Sequence, residues 1–161
     1  MLVIVDTREQ KPWDLSHGAE TVREGLKTGD YSIRGHEDRI CIERKRSTGE
    51  LSNNLGKDKK PFRREFERMA EFEEAHLICE FPMSNFDIFP EGSCIPKRVH
   101  KYLKTNGRFL KMSLFKLCEE FGVHLHFCDS KEDAADLALE LLNDYWSKNN
   151  LPEGSEENEE S

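Results

Sequence analysis

Residues 2–5, Leu-Val-Ile-Val, form an unbroken apolar run that ends abruptly on Asp6. A run this short reads as a strand, and a strand without polar alternation has to be covered on both faces. That need for cover governs the reading of the rest of the chain, because helices on either side of a sheet are what supply it. The patterns required are present. Asp30–Ile33 and Arg39–Lys45 are strand-like and joined by Arg34-Gly-His-Glu-Asp38, which reads as a hairpin. His76–Phe81 and the strictly alternating Val123–Cys128 are further strands. Ser47 or Thr48 caps a helix through Leu51 and Leu55, and Pro61 opens a helix on which Phe62, Phe66, Met69 and Phe72 recur at helical spacing. Three more helices are expected: Pro96 to Lys104, Phe109 to Phe121 ended by Gly122, and Ser130 through Trp146. Residues 10–28 read as loop with one helical turn. The expected fold is a three-layer α/β/α domain with a central mixed sheet over residues 1–149, with a disordered acidic tail at 150–161.

The 161 residues suffice for one core. The formal charge of −8 argues against a polyanionic partner only if it is evenly spread. Five of the acids, and no base, lie in residues 151–161. From Gly92 to Cys118 there is no acid, but there are seven bases: Lys97, Arg98, Lys101, Lys104, Arg108, Lys111 and Lys116. A solvated helix face is the plain alternative to a polyanion-binding one. Five cysteines without a CxxC pair suit reduced thiols, and no apolar stretch approaches the roughly 18 residues of a membrane span. A soluble intracellular protein is the expectation.

The acids fall at strand ends. Asp6 and Glu9 come after the first strand, Asp30 opens the second, and Glu43 closes the third. If the hairpin pairs as its length suggests, Asp30 and Glu43 face each other, and converging carboxylates call for a divalent cation. Strand parity puts Cys41, Glu43 and Lys45 on one face and Ile40, Ile42 and Arg44 on the other. Glu43 and Lys45 then stand roughly 6–7 Å apart, a spacing that suits one phosphate between a metal-bound acid and an ammonium. Arg44 is left as either an ion-pair partner or a phosphate contact from another angle.

Val5-Asp6-Thr7-Arg8-Glu9, Gly29-Asp30 and Glu43-Arg44-Lys45 together resemble the XPF-like (ERCC4-type) nuclease domain of the PD-(D/E)xK superfamily. The resemblance runs from residue 2 to about 145. It implies a restriction-endonuclease-like fold and a Mg²⁺- or Mn²⁺-dependent endonuclease cutting DNA, often at branches, flaps or junctions. By motif position it makes Asp6, Glu9, Asp30 and Glu43 metal ligands, and Asp30, Glu43, Arg44 and Lys45 the catalytic set. Where the family pattern has its last Asp, this chain has Gly49, with Glu50 as the neighbouring acid. The tandem helix-hairpin-helix module of larger members is absent from this sequence. Family members often work as dimers, so a homodimer or another protein partner is an expectation.

Arg8, Arg63, Arg64, Lys97, Arg98, Lys101, Lys104, Arg108 and Lys111 are the candidate DNA contacts, and Arg68 is a further base beside Arg63 and Arg64 that could hold DNA backbone. For Arg63 and Arg64, pairing with Glu67 and Glu71 on the same helix is an equal alternative. A zinc site at His124, His126 and Cys128 is disfavoured, since ligands two apart on one strand rarely complete a tetrahedron. The rival to catalysis is a catalytically weak nuclease-fold subunit that positions DNA or an active partner. An RNA nuclease shares the same chemistry.

Overall fold

The computed structural model describes residues 1–150, so the acidic tail lies outside the described residues apart from Asn150. Six strands, β1 (Leu2–Asp6), β2 (Glu20–Glu24), β3 (Tyr31–Ile33), β4 (Ile40–Lys45), β5 (Glu74–Cys79) and β6 (His124–Phe127), form one sheet in the order β2-β1-β3-β4-β5-β6. β3 pairs antiparallel with both β1 and β4, whereas β1/β2, β4/β5 and β5/β6 are parallel. The helices are α1 (Thr48–Leu55), α2 (Lys59–Met69), α3 (Asn85–Ile88), α4 (Lys97–His100), α5 (Gly107–Phe121) and α6 (Lys131–Asn149).

Alternation along the strands separates two cores. Val3, Val5, Tyr31, Ile33, Ile40, Ile42 and Ile78 point to α6, with Trp13 and Leu15 filling that side. Cys41, Ala75, Leu77 and Cys79 point the other way, onto Leu51, Phe62, Phe66, Leu110 and Leu114 of α1, α2 and α5. This is the three-layer α/β/α arrangement around a mixed sheet. Helix starts obey local capping chemistry: Ser47, Asn106 and Ser130 each accept a hydrogen bond from the backbone N–H three residues on.

Four elements differ from the sequence reading: α2 ends at Met69, short of Phe72; α3 is a one-turn helix in a stretch read as loop; the other two are β2 and α4. Residues 20–24 are a strand rather than loop. As an edge strand lying against β1 alone, β2 carries mostly exposed charge (Glu20, Arg23, Glu24) and shows no apolar alternation. The helix expected from Pro96 to Lys104 closes after one turn at His100, and the chain from there to Asn106 is irregular. Only Val99, His100, Leu103 and Thr105 turn partly inward there, and with two apolar groups among them they are too few to hold a longer helix. Among the described residues no helix is long and apolar enough to cross a membrane, and no cysteine is disulfide-bonded.

Candidate active site

Three acids stand side by side because of the strand register. Val5 pairs with Tyr31 and Tyr31 with Ile42, so one further step sets Asp6 beside Asp30 and Asp30 beside Glu43. The backbone seals this row: Asp6 N–H donates to Asp30 O, and Asp30 N–H to Ile42 O, both at 2.8 Å. Gly29 makes the approach possible. Its φ is +81°, and a Cβ there would lie 3.0 Å from the Cβ of Cys41 and 3.2 Å from Ile42 O.

The row opens on a cavity of about 410 Å³, bordered on one side by α2. Asp6, Asp30 and Glu43 line its floor, while Arg8, Lys27, Asn54, Glu65 and Arg68 line its sides. Burial and the neighbouring Glu9 and Glu65 push the Asp30 carboxyl up to about 7, although Arg44 N–H (2.8 Å from Oδ2) and the Lys45 charge pull it down. Glu43, 6% exposed, is raised well above its ordinary range by burial, with Asp30 and Glu65 adding to the shift and Lys45 opposing it. Asp6 behaves differently. Burial acts to raise it, but hydrogen bonds from Leu26 N–H (2.9 Å) and Arg8 Nε (2.7 Å) outweigh burial and leave it below the usual carboxylate value.

Lys45 shares the Glu43 face, as parity requires. It is 4% exposed, and its Nζ lies 3.3 Å from Glu43 Oε1, 3.4 Å from Glu50 Oε1 and 5.1 Å from the Phe62 ring centre. Burial disfavours its charge, yet Glu43, Glu50, Glu65 and Asp30 outweigh that and hold the ammonium protonated. Glu50 Oε2 also accepts Arg46 N–H at 3.0 Å. The position before it, Gly49, has no room for a side chain: a Cβ would meet Ser93 O at 2.2 Å and Ile95 Cγ1 at 2.9 Å. The loop after α3 fills the space a side chain at position 49 would need, and Glu50 supplies the second carboxylate beside Lys45, after that of Glu43.

Arg44 points into the other core. Its NH1 donates to Glu9 Oε2 (2.9 Å) and Lys11 O (2.7 Å), its Nε and NH2 form a two-pronged pair with Glu80 (3.0 and 3.2 Å), and its guanidinium lies over Trp13 at 4.8 Å. Of the two roles parity left open for Arg44, this is the ion-pair role. Glu9 is turned to the same side, held by Arg44 and by Tyr31 OH (3.1 Å), and does not line the cavity. Convergence of Asp6, Glu9, Asp30 and Glu43 on one spot therefore reduces to three of the four. Among the described residues no group of three or more His, Cys, Asp or Glu side chains is placed to hold a metal ion unaided.

The sequence reading names Arg68 with Arg63 and Arg64 as a base that could hold DNA backbone, and Arg68 does line the cavity, but it does not include Glu65, Lys27, Asn54 or Glu80. Helical spacing carries a signal for Glu65, which comes three residues after the buried Phe62, with Arg68 three residues further on. The other bases disperse. Arg63 pairs with Glu67 on its own helix at 3.9 Å, as the same-helix alternative has it, and also with Glu120 of α5, which that alternative did not include, and it lies over Phe121. Arg64, Lys97, Arg98, Lys101, Lys104 and Arg108 are exposed, Lys111 is half-buried, and Arg8 stands at the cavity mouth.

The model of the ERCC4 domain family matches residues 5–141. The chain belongs to the ERCC4 domain family. Two solved structures resemble this ERCC4 domain. XPF from Aeropyrum pernix is 21% identical with a TM-score of 0.65, the match covering 90% of this chain and 61% of that one. XPF from Aeropyrum pernix in complex with DNA is 27% identical with a TM-score of 0.63, covering 93% and 66%. The ERCC4 domain here thus spans about three-fifths to two-thirds of those chains, and its fold is restriction-endonuclease-like. No curated protein matches.

Proposed function

We propose that this chain is a divalent-metal-dependent endonuclease that hydrolyses DNA phosphodiester bonds. The observation that carries the proposal is the Asp30–Glu43 pair, a half-buried and a buried carboxylate that face each other on one cavity with raised affinity for protons, the buried and charged Lys45 standing 3.3 Å behind Glu43. Carboxylates that repel in this way and offer only oxygen fit Mg²⁺ or Mn²⁺. Mg²⁺ needs no full protein cage, because one or two carboxylates with waters and substrate phosphate suffice. Asp30 and Glu43 would hold the ion, with Glu65 and Asp6 as nearby acids; both oxygens of Asp6 already accept hydrogen bonds. When bound, the ion supplies Lewis-acid stabilisation and an acidified water.

The remaining work falls to the chain. Lys45 stays protonated, so it acts through its charge on the phosphate rather than as a base. Arg8, Lys27 and Arg68 at the cavity sides hold the flanking backbone phosphates. Arg44 fixes the end of β4 from behind through Glu9 and Glu80, which positions Glu43 and Lys45 without touching substrate. DNA as the substrate is supported by family membership and by the DNA-bound relative. A homodimer or protein partner belongs to the same proposal as an expectation from the family.

The test is cleavage of labelled duplex, flap, fork and single-stranded DNA with Mg²⁺ or Mn²⁺, beside Glu43→Ala and Lys45→Ala variants. Metal-dependent cutting that both variants lose is the expected result. Cutting that persists in Glu43→Ala refutes the site, and binding without cutting on every substrate and metal makes the chain a DNA-binding subunit.

A further inference from the structure

The segment from Pro96 to Asn106 carries chemistry that the reaction cavity does not use. It is pinned from behind: Val99 and Leu103 line a groove against α1 together with Ser47 and Glu50, and His100 Nε2 donates to Ile95 O at 2.7 Å. The outward side chains are Lys97, Arg98, Lys101, Tyr102 and Lys104, all exposed. Among the described residues none of these four cations enters an ion pair. Tyr102 is 70% exposed, the most open of the large apolar side chains described, and Lys101 Nζ lies 5.1 Å from its ring centre.

A solitary exposed aromatic needs no explanation. A ring held outward among four unpaired cations, on a segment anchored by its inward side chains, has a specific chemical fit. Unpaired nucleic acid is bound by cations along its backbone and by aromatic faces that stack on its bases. A duplex can use the cations but not the ring, because its bases already stack on each other. The placement suits a reaction nearby. The groove under this segment includes Glu50, whose carboxylate meets Lys45 Nζ at 3.4 Å, and Gly49 N–H donates to Ser93 O at 3.2 Å.

We propose that Lys97, Arg98, Lys101, Tyr102 and Lys104 form a binding arm for single-stranded DNA beside the reaction cavity, with Tyr102 stacking on an unpaired base. The arm rests on the DNA reading above and adds to it a contact for an unpaired strand.

The test is fluorescence anisotropy with the full chain in EDTA, so that nothing is cleaved, on a labelled mixed-sequence DNA 15-mer, its matching duplex and an RNA 15-mer of the same sequence. Tyr102→Ala weakens single-strand binding by about 5–50-fold and duplex binding by less than about twofold, while Tyr102→Trp binds both as wild type does. Lys101→Ala/Lys104→Ala weakens both and flattens the salt dependence. No single-strand binding by the wild type, no effect of Tyr102→Ala, or an equal effect on the duplex would overturn the arm. Tighter binding of the RNA 15-mer would overturn the choice of DNA. Glu43→Ala separates the two proposals: if it still cleaves DNA and Tyr102-dependent binding is intact, the active-site assignment fails and the arm stands.

Discussion

Lys45 is a buried ammonium kept charged by acids on either side, and such a group is tolerated only while its partners remain. Lys45→Ala is expected to lower the single-turnover cleavage rate by about 10²–10³-fold while metal-free DNA affinity changes by less than about threefold. A loss of affinity with an unchanged rate would make Lys45 a binding charge only. Gly49 gives a second prediction. Restoring the family acid with Gly49→Asp drives a Cβ onto the backbone oxygen of Ser93, so it should cost about 2 kcal/mol or more of stability, read by urea denaturation. An unchanged midpoint would mean that the loop at Ser93 yields to a side chain. Much of this site is legible in the sequence: parity places Glu43 and Lys45 together and Arg44 opposite, and the hairpin sets Asp30 against Glu43. Glu9 is not, because its direction depends on Arg44 and Tyr31, partners that only the folded chain brings to it. Glu65 hides behind the phenylalanines of its helix, although the same spacing carries acids to the edge of the buried face.

At the scale of elements, legibility depends on how much each one buries. The strands and helices of the two cores announce themselves through apolar period, whereas β2 buries little of its own and is a strand only because β1 offers it an edge. The β5–β6 pair carries a consequence for acid stability. His76 Nδ1 and His126 Nε2 lie 2.9 Å apart, and His76 Nε2 lies 2.8 Å from Glu74 Oε1, a chain of contacts that suits two neutral rings. Burial first, then His76 and His124, pull His126 down to about 4; burial also lowers His76, against the opposing pull of Glu74. A base whose folded value lies below its unfolded value near 6.5 takes up protons more readily when unfolded, so stability is lost as pH falls from about 6.5 towards 4. Asp30 and Glu43, raised in the fold, act in the opposite direction. Comparing wild type with His126→Gln cancels them. The wild type should lose about 1–2 kcal/mol more than the variant between pH 7 and pH 5 in urea denaturation, and parallel losses would show that His126 does not contribute.

For the whole molecule the net charge misleads, since a chain at −8 keeps its bases in a run free of acids from 92 to 118 and five of its acids in residues 151–161. Charges of opposite sign on one chain oppose each other in the field that a polyanion meets, so acids remote in sequence from the active site still lower its local concentration. Removing residues 151–161 is therefore expected to tighten duplex binding several-fold at about 20 mM salt, chiefly by faster association, with the gain fading as the Debye length shrinks to about 4–5 Å near 0.5 M. Anisotropy across that salt range, with stopped-flow association at the low end, reads both effects. Identical affinities at low salt would mean that the acids of 151–161 sit where they do not act on the DNA. A gain that persists at 0.5 M would point instead to a direct contact between those acids and the basic run, since only a contact pair escapes screening at that ionic strength.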